Sequence, residues 1–211
     1  MARDVISCLL ASSLCIAFLL TGCRKKPDVI SPPRIAILQD KQQEWADALR
    51  SGFVDGLKEQ GFVPNRDVVV VARSANGDAQ ALATIADSFV KEDYVAIYTL
   101  GTQTTQEVFN RSKAKNVIFG AVTDPVAAGF YRDNLQTPSG NITGTQDLWP
   151  YVAQFDLIRK LLPSLKRIGI LYNASEVNSQ VSVGYIRAEC KACGIELEER
   201  AIASESEVQI A

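Results

Sequence analysis

Short β-branched runs alternate with amphipathic stretches along residues 34–120, and this alternation constrains the fold more than any other feature of the chain. Arg34-Ile35-Ala36-Ile37-Leu38 reads as a short buried strand. From Trp45 onward, apolar or small residues recur at Ala48, Leu49, Gly52, Phe53, Gly56 and Leu57, the spacing of one helix face, with Gly61 as its stop. On that spacing the whole stripe, Trp45 included, is a core face laid close on a sheet, although Trp45 follows the strand closely enough to reach a cleft. Asp67–Ala72 is too uniformly β-branched to alternate, which predicts a strand covered on both faces. Asp78 caps a helix that turns Leu82, Ile85, Ala86 and Phe89 inward. A strand over Tyr94–Tyr98, a helix over Thr102–Arg111 and a strand over Asn116–Gly120 follow. Alternations at intervals of about 25 to 30 residues predict a doubly wound α/β lobe on a mostly parallel sheet.

A second, shorter series begins after Asn141-Ile142-Thr143-Gly144, which reads as a crossover. A helix over Tyr151–Leu162 stops at Pro163, and a strand over Arg167–Tyr172, a helix from about Val177 to Cys193 and a strand over Ile195–Ala201 come next. Ser204 and Glu207 have the spacing of a capping box, which predicts the start of a further helix.

The first residues read as an address. Val5–Leu20 carries no charge and falls short of the roughly 20 residues that a membrane span needs, which fits a secretory signal. It ends in Leu20-Thr21-Gly22-Cys23, which resembles the bacterial lipobox, where the cysteine is lipidated and becomes the mature N-terminus. An ordinary signal whose cysteine is incidental is the alternative. Arg24-Lys25-Lys26-Pro27 and Ser31-Pro32-Pro33 then form a polar, Pro-rich tether. The expected division is a signal over 1–22, a tether over 23–33, a first lobe over 34–144 and a partial second lobe over 145–211, held at a membrane through the lipid on Cys23.

Composition excludes several classes of function. Lys+Arg 22 against Asp+Glu 24 leaves a net charge of −2, with no basic surplus to neutralise a nucleic acid. With His 0, Ser-His-Asp and Cys-His nucleophiles and His-ligated zinc are absent. Cys190 and Cys193 close a helical stretch, where the dipole raises thiol pKa, so they read as structural thiols or a stapling disulfide rather than a redox pair or a metal site. No segment matches a Walker A loop or G-x-G-x-x-G, so no nucleotide cofactor is expected.

In open α/β sheets the ligand lies beyond the C-terminal strand edges. The residues there are Gln39-Asp40, Ser74-Ala75-Asn76, Thr99 to Thr104, Thr123-Asp124-Pro125 and Asn173 to Glu176. Hydroxyls and free N–H groups at a helix N-terminus suit a carboxylate, and Asp124 or Glu176 suits an ammonium, so the set fits a zwitterion such as an amino acid. The plainer alternative makes Thr102 a helix cap and Asp124-Pro125 a turn. Few aromatic residues stand at these strand ends, which keeps the support for an aromatic solute modest.

Val122-Thr123-Asp124-Pro125-Val126-Ala127-Ala128-Gly129, Gly140 to Gly144, Leu161 to Asn173, and Glu176-x-Asn178-Ser179 occur in an order and spacing that resemble the ABC-transporter substrate-binding protein family, of type I periplasmic-binding fold. The resemblance runs from about Arg34 to the end of the chain. It implies a two-lobed, lipid-anchored, non-enzymatic receptor that closes on a small solute, in characterised relatives an amino acid, aromatic ones among them, and hands it to an ABC permease, with Thr102, Gln103, Thr123, Asp124, Asn173, Glu176 and Asn178 at the cleft, where the strand-end reading adds Gln39. Asn141 and Gly144 would belong to the crossover rather than the pocket. Thr102-Gln103-Thr104-Thr105 stands where relatives commonly have Thr-Pro-Ala-Ala, which makes this wall more polar. The family runs to about 300 residues, two full lobes, so the second lobe is expected to be incomplete. A solute receptor, a truncated or split surface lipoprotein that no longer binds solute, and an exported α/β enzyme working with carboxylates alone are the three readings weighed. The first is preferred.

Overall fold

The computed structural model describes residues 31–203 and 205–210, so the signal over 1–22, Cys23 with the tether as far as residue 30, and Ser204 lie outside the described residues. Strand β1 (Arg34–Gln39), helix α1 (Glu44–Glu59), β2 (Val69–Ser74), α2 (Ala79–Lys91), β3 (Ala96–Leu100), α3 (Thr102–Arg111), β4 (Val117–Val122) and β5 (Ile142–Gln146) build one 5-stranded sheet. Its strand order is β2-β1-β3-β4-β5, and every pair is parallel.

Parallel pairing demands apolar cover on both faces, and β1 shows it, with Ala36 and Leu38 in one cluster and Ile37 in another. Helices α2 and α3 cover the first face through Leu82, Ala86, Phe89, Val108 and Phe109, joined by Phe130 from the segment before β5. Asp78 accepts a hydrogen bond from Ala81 N at 2.8 Å, the cap read from the sequence. Helix α1 covers part of the second face, where Leu49, Phe53 and Val54 pack on Ile37, Tyr98 and Leu100.

Three sequence expectations change. The β-branched run begins as a strand at Val69 and lies at the sheet edge, with Ala72 and Arg73 exposed; β-branching measures fit to an extended backbone, not burial. The presumed crossover Asn141 to Gly144 carries β5 from Ile142, whose strand state comes from pairing with β4 rather than from its own pattern. Gly52 and Gly56 have no atom within 4 Å of a notional Cβ, so the α1 glycines face open space instead of a close sheet contact.

The second series folds as α4 (Tyr151–Leu161), β6 (Arg167–Asn173), α5 (Val177–Cys193) and β7 (Glu196–Ile202), with β6 and β7 paired in parallel. Phe155, Cys190 and Ile195 form its core. Cys190 and Cys193 are free thiols, and burial foremost, then the neighbouring Cys193, pushes the Cys190 thiol up, as fits a packing role. The expected C-terminal helix is a 3₁₀ turn over Glu205–Glu207, in which Glu207 Oε2 accepts from Ala203 N at 3.0 Å. No helix among the described residues is long and apolar enough to cross a membrane.

Gly144 fixes the approach of β5 to β4: a Cβ there would lie 2.1 Å from the Phe119 carbonyl oxygen. Gly144→Ala is expected to cost about 3 kcal/mol, read as a lower urea midpoint. Gly169→Ala, whose new Cβ would meet nothing closer than 3.9 Å, is expected to stay within about 0.5 kcal/mol.

Candidate functional site

The C-terminal strand edges open onto two adjoining cavities. The smaller, of about 250 Å³, is polar and is lined by Gln39 at the end of β1 with Asp40 and Lys41 after it, by Gly101 to Thr104 at the start of α3, and by Glu176 and Asn178 at the start of α5. The larger, of about 990 Å³, is mostly apolar, with Leu49, Phe53, Tyr98, Ala121, Thr123 and Trp149 in its wall. Trp45, Gly101, Thr102 and Asn178 border both.

The turn from β3 into α3 sets the polar cavity. Gly101 adopts φ 88°, a backbone that L side chains rarely take, and its carbonyl accepts from both Thr105 N at 3.2 Å and Thr105 Oγ1 at 2.7 Å. Thr105 Oγ1 also pairs with Thr99 Oγ1 at 2.8 Å, tying the turn to β3. Helix geometry leaves the N–H groups of Thr102, Gln103 and Thr104 without intrahelical acceptors, and Gly101 brings no side chain to cap them. They form a donor surface with the positive end of the helix dipole behind it.

Two buried side chains that line the cavity each keep a polar atom without a partner in the protein. Gln39, 3% exposed, has its Oε1 unpaired, and Thr102, 5% exposed, has its Oγ1 unpaired. Leaving such a group buried and unbonded costs about 1–3 kcal/mol, so the fold carries both at a loss unless something binds. Gln39 is held in place by its other end, where Nε2 donates to the Lys41 carbonyl at 3.2 Å and to Asp47 Oδ1 at 3.5 Å.

Of the residues read from the sequence, Gln39, Thr102, Gln103, Glu176 and Asn178 meet at the polar cavity, and Thr123 lies on the apolar one. Asp124 and Asn173 line neither. Asp124 Oδ1 accepts from Val126 N at 2.9 Å and Ala127 N at 3.0 Å, so the carboxylate is committed to its own turn. Asn173 holds other groups, donating from Nδ2 to Glu176 Oε1 at 3.0 Å and accepting from Ser175 Oγ at 2.7 Å.

The sequence pattern missed the apolar cavity. Trp45, expected in the core, is 47% exposed with its ring over Gly101, and Ala48, Leu49, Gly52 and Phe53 of the same stripe line the cavity beside it. Phe53 stacks on Tyr98 at 4.2 Å between ring centroids. Thr145 and Asp147, neighbours of the presumed crossover, also face the cavity, because β5 brings them to the same strand edge. Ala121 sits there at φ 54°, where the pairing of β4 with β5 shifts register. Such strain in a residue other than glycine gathers at binding sites.

Residues 34–211 match the family model described as ABC transporter substrate binding protein, and the chain belongs to that family. A tyrosine-binding protein of Clostridioides difficile is 31% identical over 218 residues, covering 98% of this chain and 63% of that protein. Two solved structures superpose with a TM-score of 0.80 at 31% identity: a conserved domain protein from Vibrio cholerae, covering 85% of this chain and 60% of that one, and an ABC domain from Streptococcus pneumoniae in complex with L-Trp, covering 84% and 60%. The fold is the type I periplasmic-binding fold. This chain spans 63% or less of the length of these relatives.

Thr102→Val removes an unpaired buried hydroxyl while keeping its shape. The ligand-free protein is expected to gain about 1 kcal/mol, a melting midpoint higher by about 2–4 °C in calorimetry.

Proposed function

We propose that this chain is the solute-binding part of an extracytoplasmic receptor for an ABC importer, non-enzymatic, anchored through lipid on Cys23, and that its solute is an amino acid with an aromatic side chain. The unpaired Gln39 Oε1 and Thr102 Oγ1, buried on one small polar cavity, carry this reading. The solute's carboxylate rests on the uncapped N–H groups of α3 and on Thr102 Oγ1, with no Lys or Arg required. Its ammonium turns toward Gln39 Oε1 and Glu176. Its side chain passes Trp45 into the larger cavity, where Phe53, Tyr98 and Trp149 supply aromatic wall.

The relatives support the same chemistry, since one is named for tyrosine and another was solved with L-Trp. They also outweigh the argument from few aromatic residues at the strand ends, because the aromatic wall comes from helix α1 and the segment before α4. On this reading residues 1–22 are the signal, 23–33 the tether, 34–144 the first lobe and 145–211 part of the second. A permease of matching specificity is the partner.

Isothermal titration is expected to give a Kd of about 10 μM or tighter for L-tryptophan or L-tyrosine, with L-leucine weaker. Thr102→Val is expected to weaken binding by about 10- to 100-fold, the worth of a hydrogen bond to a charged group. Absence of heat with all three amino acids removes the amino-acid reading. In a bacterial host, labelled palmitate is expected on the wild-type protein and not on Cys23→Ser, which should appear in the soluble extracytoplasmic fraction.

A further inference from the structure

Asp40, which the family resemblance does not place at the cleft, completes an acceptor set at the polar cavity. It follows β1 directly, and its backbone carbonyl is fixed by Gly77 N at 3.0 Å and Ser74 Oγ at 3.4 Å. Glu176 reaches the same cavity from the other lobe. Both of its oxygens are held, Oε1 by Asn173 Nδ2 at 3.0 Å and Oε2 by Ser179 Oγ at 3.2 Å, and the adjacent Val177 packs against the first lobe's core. Gln39 adds the unpaired, almost fully buried Oε1. Asp40, Glu176 and Gln39, which carry two carboxylates and an amide oxygen, thus line one space of about 250 Å³. A primary ammonium has three N–H donors, one for each.

We propose that Asp40 and Glu176, with Gln39 Oε1, form a clamp for a primary ammonium, one carboxylate from each lobe, so that the solute's cation joins the lobes and acids lacking it are rejected. This rests on the amino-acid reading in taking the ammonium from the solute. The charges facing Asp40 are Lys41, on its own turn with its stem running over Gly77, and Glu176 of the opposite lobe. Burial pushes the Asp40 carboxyl up; Lys41 pulls it down in part, and Glu176 adds to the rise. Without a solute the two carboxylates repel.

The test has a ligand-free and a liganded arm, both on the whole protein. In melting experiments at pH 7, Asp40→Asn is expected to raise the midpoint by about 2 °C when Glu176 is present and by clearly less in a Glu176→Gln background, where the burial cost remains but the repulsion is gone. A raised carboxyl pKa favours the fold at low pH and loses that contribution as pH rises, so the advantage of Asp40→Asn is expected to vanish toward about pH 4. In titrations, the wild type is expected to prefer L-tryptophan and L-tyrosine over their 2-hydroxy acids by at least about 100-fold, and either single substitution is expected to cut that ratio to below about 10. An Asp40→Asn effect equal in both backgrounds, or a ratio that Asp40→Asn leaves unchanged, overturns the clamp. Coupled midpoints without heat from any amino acid support the clamp while removing the amino-acid reading, and methylammonium is then the probe titrated.

Discussion

The turn between β3 and α3 is held by one buried hydroxyl pair, Thr99 with Thr105, closing on the Gly101 carbonyl. The site depends on it. It aims the uncapped end of α3 over the strand edges, and it sets Thr102 Oγ1 where the fold offers it no partner. Thr105 belongs to the run that departs from the family's usual small apolar residues. Its polarity is spent on the turn, whereas Gln103 and Thr104 one step earlier face the cavity. Three residues of this run, Thr102, Gln103 and Thr104, therefore line the polar cavity, and the fourth, Thr105, is scaffold.

Much of the fold was legible because the signals were local. Asp78 caps α2, Pro163 follows the end of α4, and the apolar positions of α2 all turn inward. What was not legible depends on neighbours far along the chain. The run before Gly144 has no strand pattern of its own and becomes β5 only because β4 offers an open edge. The valines of β2 say that the backbone is extended, and say nothing about which strands stand on either side. Periodicity places residues on a face of α1 without naming what the face meets, so Trp45, Ala48 and Phe53 read as core and prove to be cavity wall.

The site divides along a similar line. Gln39, Thr102, Gln103 and Glu176 were found by topology, as residues at or just beyond strand ends, which parallel strands bring together, and Asn178 was found by the family resemblance. Asp124 and Asn173 satisfied the same rule, but their short polar side chains reach backbone and side chains a few residues on, which takes them out of the cavity. Glu176 is longer and needs a support, which Asn173 provides. A residue placed at the site by its position in the chain thus acts there through a neighbour. Trp149 and Ala121 gave no signal; one depends on where β5 ends and the other on a register shift.

The two cavities and the unpaired atoms have one physical logic. A polar oxygen buried without a partner and an aromatic face without cover each raise the free energy of the ligand-free state, by about 1–3 kcal/mol for each such oxygen. A stable core would remove them, and the same sheet could bury apolar residues in their place. The proposed solute, with a charged end for the small cavity and an apolar body for the large one, accounts for their persistence. Binding then stabilises the fold as it fills the site, by an amount that grows with solute concentration over its dissociation constant. On the proposed division into lobes, Glu176 stands on one side of the small cavity and Gln39, Asp40 and Thr102 on the other, so a solute that satisfies the oxygens would also join the two sides.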